Sequence, residues 1–234
     1  MKISKHLFFC NNIDNLTLSK EESHHATRVL RLKSENVIKL MDGKGTIADA
    51  IITEISKNEV TFKVTSKTHH PEPNHKLHIA IAPTKSNDRI EFFLEKCTEI
   101  GISEITPIIC KNSERKNINF QRWQKIITSA AKQSQAPFYP KLNQTKSLEK
   151  FLKFNNFGAL FIAHCEESSE KLELKNHLNN QKEICILIGP EGDFTKEEIN
   201  FAIENNYTPV SLGKTRLRTE TAGIVACHTV NLIL

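Results

Sequence analysis

The chain has 234 residues, 38% hydrophobic and 25% charged, with Lys+Arg 32 against Asp+Glu 27 and a pI near 8.8. That length suits one large domain or two small ones, and the composition excludes a chain too polar to bury a core. The net charge of +5 is compatible with an RNA partner and does not require one.

No run approaches ~18 apolar residues, so no transmembrane helix is expected. The N-terminal stretch has only Leu7-Phe8-Phe9-Cys10 as consecutive apolar residues, too few for a signal-peptide core. Cys10, Cys97, Cys110, Cys165, Cys185 and Cys227 form no C-x-x-C pair and read as buried free thiols in a reducing cytoplasm. His24-His25 and His69-His70 are adjacent pairs, unsuited to joint ligation from one helix face, so no metal is expected.

In chain order, the first elements are β. Val37 to Met41 leads into the turn signal Asp42-Gly43-Lys44-Gly45, then Thr46 to Ile55. After the polar break Ser56-Lys57-Asn58-Glu59, Val60 to Val64 alternates apolar and polar. Short strands joined by tight turns predict a small barrel over 1–70. Lys67 to Lys76, with Pro71 and Pro73 and no aliphatic residue, reads as a linker, with 71–76 dividing the two domains.

From residue 77 to 234 the pattern is αβ. His78 to Ala82 reads as a buried strand. A helix capped by Ser86 or Asn87 then places Ile90, Phe93, Leu94 and Cys97 on one face and stops at Gly101. Ile105 to Cys110 is a strand and Gln121 to Gln135 a helix holding Trp123, the only Trp. Phe157 to Ala163 and Ile184 to Ile188 are further strands. Thr195-Lys196-Glu197-Glu198 forms a capping box for the next helix. Thr208 to Leu212 is a fifth strand, and Thr219 is the expected cap of a last helix, apolar nearly all round, that calls for a core or an interface. Strand–helix alternation implies a mostly parallel sheet covered on both faces.

The chemistry concentrates where two of these strands end. Leu187-Ile188 run into Gly189-Pro190-Glu191-Gly192-Asp193, and Leu212-Gly213 run into Lys214-Thr215-Arg216-Leu217-Arg218-Thr219. Ligands bind beyond the carboxyl ends of strands in such sheets, so one pocket built from both loops is predicted. Either loop alone could be only a tight turn. G-x-G-x-x-G is absent, and a phosphate loop would need glycine at Thr208, so neither loop is built for phosphate. Backbone groups facing an adenosine fit better, with S-adenosylmethionine as a ligand of that kind. Leu187, Ile188, Gly189, Gly192, Leu212, Gly213, Leu217, Thr219 and Ala222 are the candidate binding residues. Arg218 carries a planar fork that can hold a carboxylate or a uracil oxygen, and Arg216 reads as a solvated neighbour. Arg28, Arg31 and Lys33 interleave with apolar residues and could contact phosphates or simply edge an exposed helix. Lys85, Arg89, Arg115 and Lys116 are weaker candidates of the same type.

Gly-Pro-Glu-Gly at 189–192 followed by Leu-Gly-x-x-x-Leu-Arg-Thr-Glu-Thr-Ala at 212–222 resembles the signature of the knotted SPOUT methyltransferases. The match is closest to the RsmE branch, the 16S ribosomal RNA uridine-N3 methyltransferases. Arg28 to Lys33, the Asp42-Gly43 hairpin, Lys85, Arg89, Leu94 to Gly101 and Gln121-Arg122-Trp123 extend the resemblance over nearly the whole chain. It implies a PUA-like RNA-binding barrel, then a trefoil-knotted α/β domain that dimerises and holds S-adenosylmethionine in the knot. It implies methyl transfer to N3 of a uridine near the 3′ end of 16S RNA in the 30S subunit. Arg218 would stabilise charge on uracil and Glu191 is a candidate proton acceptor. Two departures stand out: Gln135-Ala136 replaces the usual glycine and arginine, and Ser34-Glu35-Asn36 replaces a glycine-containing turn. The competing readings are a non-enzymatic RNA-binding or ribosome-assembly protein on this fold, and a SPOUT enzyme of other specificity, such as a tRNA ribose methyltransferase.

Overall fold

The computed structural model describes residues 6–56, 59–153, 158–166 and 171–234. The chain divides into two compact units. The first runs to Glu72 and also takes in Ala131–Tyr139; the second is Pro73–Ala130 with Pro140–Leu234.

In the first unit, β1 (Leu7–Phe9) is followed by the helical segment α1 (Lys20–His24), which continues as one π-helical turn over His25–Val29. Then come β2 (Val37–Met41), β3 (Thr46–Ile55) and β4 (Val60–His69). They form a four-stranded sheet in the order β1-β2-β3-β4, with β1 parallel to β2 and the other pairs antiparallel. Alternation puts Ile38, Leu40, Ala48, Ala50, Ile52 and Phe62 into one buried cluster with Phe8 and Ala26. The expected linker begins too early: Lys67, Thr68 and His69 pair with Ala48, Ile47 and Thr46 and so belong to β4. Their polar side chains hid a strand end that is held by the ladder and exposed on its faces. The expected break at Ser56–Glu59 contains residues 57–58, outside those described, as does the start of the strand expected from Phe157.

Segment 131–139 packs on the Gly43–Gly45 turn of its own unit. The Gly45 N–H donates to the Pro137 carbonyl at 2.9 Å, and the Tyr139 N–H donates to the Gly43 carbonyl at 2.9 Å. Phe9 stacks on Tyr139 at 4.6 Å, and the Lys132 ammonium donates to Glu22 at 2.8 Å. Sequence reading placed this stretch wholly in the α/β part.

The second unit contains β5 (Lys76–Ile81), α2 (Asn87–Ile100), β6 (Glu104–Ile109) and most of α3 (Phe120–Ser134). Two short strands, β7 (Lys141–Leu142) and β8 (Lys146–Ser147), precede α4 (Leu148–Lys153). Next are β9 (Ala159–Ala163), β10 (Leu172–Glu173), β11 (Glu183–Ile188), α5 (Lys196–Glu204), β12 (Thr208–Ser211) and α6 (Thr219–Ile233). The sheet order is β10-β12-β9-β11-β5-β6-β7, with β8 on β6 and every described pair parallel. Alternation along β5 and β11 divides two cores. Ile79, Ile81, Ile184, Ile186 and Ile188 join Phe93, Leu94, Trp123, Ala226 and Val230. Ala80, Cys185 and Leu187 join Phe151, Ile199, Ala202 and Tyr207 on the opposite face. The helices therefore cover both faces of a parallel sheet, as the pattern predicted.

Local signals account for the helix ends. Ser86 is the N-cap of α2, and Gly101 ends that helix. Thr195 and Glu198 form the predicted capping box on α5. On α6 the cap is Arg218, one residue earlier than expected; Thr219 is the first helical residue, and its hydroxyl donates to the Gly189 carbonyl. Gly223 lets α6 approach α2: a Cβ there would lie 2.5 Å from the Phe93 ring. Among the described residues no helix is long and apolar enough to cross a membrane.

Candidate functional site: a cavity at the strand ends

The carboxyl ends of β9, β11 and β12 lie side by side, with Ala163 level with Ile188 on one side and Val210 on the other. The segments that leave them line a cavity of about 450 Å³. This size suits a nucleoside-bearing small molecule. Both predicted loops contribute: Ile188, Gly189 and Glu191 from the first, Leu212, Gly213, Leu217, Arg218, Thr219 and Ala222 from the second.

The two loops are tied directly. The Thr219 hydroxyl donates to the Gly189 carbonyl at 3.0 Å in a buried position. The first loop closes with the Asp193 N–H donating to the Pro190 carbonyl at 2.9 Å. Asp193 anchors it, accepting from the Cys165 N–H at 2.7 Å and the Phe194 N–H at 2.8 Å. Asn112 donates to the Gly192 and Asp193 carbonyls at 3.2 and 3.1 Å. In the second loop Gly213 has φ of +144° with open space around it, a torsion that side-chain-bearing residues rarely adopt.

Two predicted binding residues are elsewhere. Leu187 is fully buried against the α4 and α5 side, because strand alternation turns it away from the face that Ile188 presents. Gly192 packs against Asn112, where a Cβ would lie 3.2 Å from the Asn112 Cβ, so it serves the loop rather than the cavity.

The charged candidates differ in freedom. The Arg218 side chain is exposed and holds no hydrogen bond or ion pair among the described residues. One Glu191 oxygen accepts the Lys85 N–H at 2.8 Å, while its Oε2 is buried without a hydrogen-bond partner. Arg216 reaches the Glu191 carbonyl at 3.4 Å. Arg115 is engaged by the Lys85 carbonyl and the Asn87 side chain. Lys85 pairs with Glu114 at 2.9 Å, and Arg89 approaches Glu220 at 3.9 Å. Arg28, Arg31 and Lys33 are exposed on the first unit. They lie on the helical turn and loop before β2 rather than on strands, and Arg31 has φ of 54°.

Sequence reading missed His164, Cys165, Lys171 and Asp193, which also line the cavity. Their signal was position: His164 directly follows an apolar strand, where ligand contacts gather. Lys171 reaches back across the cavity edge, its ammonium donating to the His164 and Glu166 carbonyls at 2.7 and 2.8 Å. Cys165 is exposed, unlike the other five cysteines, which are buried as expected. Among the described residues no three His, Cys, Asp or Glu side chains gather as a metal site.

Residues 70–231 match the family model described as an RNA methyltransferase domain, and residues 18–65 the one described as an RNA methyltransferase PUA domain. Ribosomal RNA small subunit methyltransferase E of Rickettsia conorii is 30% identical, over 92% of this chain and 88% of that protein. Its namesake in Buchnera aphidicola is 33% identical, over 89% and 84%. Among solved structures, a probable rRNA-methyltransferase from Porphyromonas gingivalis superposes with TM-score 0.87 at 35% identity, covering 97% of this chain and 98% of the other. Ribosomal RNA small subunit methyltransferase E of Neisseria gonorrhoeae, bound to S-adenosyl methionine, gives TM-score 0.85 at 27% identity, covering 98% of each chain. The matched methyltransferase and PUA domains, together with the two relatives at 30% and 33% identity, place this chain in the family of the ribosomal RNA small subunit methyltransferase E proteins.

Proposed function

We propose that the protein transfers the methyl group of S-adenosylmethionine to N3 of a uridine in 16S ribosomal RNA, acting on the assembled 30S subunit. The observation that carries this reading is the cavity shared by the two glycine loops, tied by the Thr219–Gly189 bond and bordered by Arg218, which is unpaired among the described residues. The residues present fit the donor: backbone and apolar groups of Gly189, Leu212, Leu217 and Ala222 suit an adenosine, and buried polar atoms at the wall lack partners among the described residues. When bound, S-adenosylmethionine supplies an electrophilic methyl on sulfonium.

The chain's own residues then have three tasks. The tied loops fix the geometry of an in-line attack. The imide N3 is a poor nucleophile until it loses its proton, and we assign the free Glu191 oxygen as acceptor. The Arg218 fork stabilises the charge that grows on the uracil oxygens. N3 normally faces a pairing partner, so the base must reach the site unpaired. Arg28, Arg31 and Lys33 hold RNA by its phosphates and leave the choice of base to the cavity. Homodimerisation, the trefoil knot and a cytoplasmic setting belong to the same proposal.

The deciding experiment is methyl transfer to purified 30S subunits and to naked 16S RNA, with the modified nucleoside identified by mass spectrometry. N3-methyluridine on 30S subunits is the expected product. Another methylated nucleoside would reassign the specificity, and no transfer would favour a non-enzymatic RNA-binding role.

A further inference from the structure

The cavity wall contains a buried imidazole that the proposed reaction leaves unused. His164 follows β9, the strand between β11 and β12, and the register sets it beside the starts of both glycine loops. It is 9% exposed and lines the cavity. Both ring nitrogens are buried without a hydrogen-bond partner among the described residues. Its carbonyl accepts the Lys171 ammonium at 2.7 Å, which fixes the backbone while leaving the ring free. Burial first, and the Lys171 charge next, hold its pKa below the ordinary histidine value. The ring is therefore neutral near pH 7, with one N–H donor and one acceptor nitrogen. Buried polar groups without partners are rare in folded proteins, and each calls for an explanation.

We propose that His164 is a donor-binding residue whose imidazole takes a ribose hydroxyl of S-adenosylmethionine, an assignment that rests on the reading that this protein uses that donor. A neutral, buried ring matches a neutral hydroxyl, which can both donate and accept. The carboxylate of the donor's amino-acid end is better matched by Lys214 and Arg216, which border the cavity and are exposed. A neutral ring also adds no positive charge beside a sulfonium.

The test is calorimetry of S-adenosylhomocysteine and its 2′,3′-dideoxy analogue on the full chain. Wild type should bind the parent compound about tenfold more tightly than the analogue, the worth of one hydrogen bond. His164→Ala should lose about that tenfold for the parent and bind both compounds alike, as a coupled pair requires. His164→Gln keeps a donor and an acceptor, so it should recover part of the discrimination. Unchanged affinity in His164→Ala overturns the assignment. So does weaker binding of both compounds with the discrimination intact, which marks a structural role. Wild type that binds neither compound removes the donor reading itself and His164 with it. Wild type that discriminates beside an equally discriminating His164→Ala removes only His164.

Discussion

Arg218 caps α6 with φ −73° and ψ 155°, and its carbonyl accepts the Ala222 N–H at 2.7 Å. Its backbone is thus held by the helix start while its guanidinium stays free. Such a group adds most to a transition state that gathers charge. Arg218→Ala should slow single-turnover methylation at saturating donor by roughly a hundredfold, the scale of one lost electrostatic donor. Calorimetric donor affinity should change little. Arg218→Lys keeps the charge without the fork and should be impaired too. Weakened donor binding with an intact saturated rate would make Arg218 a donor residue instead. In the same assay Glu191→Gln should lose most rate near neutral pH and least in alkali, where the imide has already lost its proton; a wild-type profile would confine Glu191 to holding Lys85. The two departures from the family pattern also have a backbone meaning. Glu35 and Gln135 have φ of 71° and 54°, in the left-handed region where glycine is favoured. Glu35→Gly and Gln135→Gly should each raise stability by about 0.5–1 kcal/mol in denaturant melts, because the side-chain penalty there exceeds the entropy glycine adds to the unfolded chain. A loss of stability in either variant would show that its side chain contributes more than its torsion costs.

Within the elements, β5 and β6 enclose a polar network. His78 Nε2 lies 2.7 Å from the Thr106 hydroxyl, which also accepts from Asn143 at 2.7 Å, and Asn143 donates to Glu104 at 2.5 Å. Burial pushes His78 down to about 4 from 6.5, with Glu104 opposing and Lys141 assisting. Between those values the unfolded chain binds more protons than the folded one. Stability is therefore full above pH 6.5 and falls as the pH drops toward 4. The loss should reach about 3 kcal/mol by linkage, and His78→Gln should flatten the slope of chemical-denaturation stability against pH. An unchanged slope in that variant would place the acid sensitivity elsewhere. Much at this scale was legible in sequence. Phe93, Leu94 and Cys97 were read correctly onto the buried face of α2, and Thr195 and Glu198 onto the α5 capping box, because helical spacing and cap chemistry are local. Lys67–His69, β7, β8 and β10 were missed because they are short or polar and exist only through pairing with distant strands. The two loops that line the cavity were legible in Gly189 and Gly213. Leu187 and His164 were misjudged or missed because sheet parity and the position of β9 between β11 and β12 emerge only in three dimensions.

At the scale of the whole molecule, α6 buries Gly223, Ala226, Cys227 and Val230, yet leaves Leu232 71% and Ile233 46% exposed. Phe92 on α2 is exposed as well. We propose that these side chains belong to the homodimer interface. Light scattering at micromolar concentration should give twice the 26.6 kDa chain mass, and Leu232→Glu should shift it to the monomer. A monomer mass for wild type would reject the dimer. RNA affinity should fall with salt, since each neutralised phosphate releases counterions. Replacing Arg28, Arg31 and Lys33 by alanine should lower the log–log salt slope by about 1 per lost contact. An unchanged slope would free these residues of the role.

The sheet order carries a cost in time. Ile186 of β11 lies beside Ile79 of β5, far back in the chain, and β11 is also flanked by β9. The most apolar strand, Ile184–Ile188, therefore finds its place only after a long loop has closed, and such closure is slow. Until then its two faces and both edges are bare, which is the condition under which chains stick to one another. The strand that delivers Gly189 to the cavity is thus also the segment a molecular chaperone would have most reason to cover.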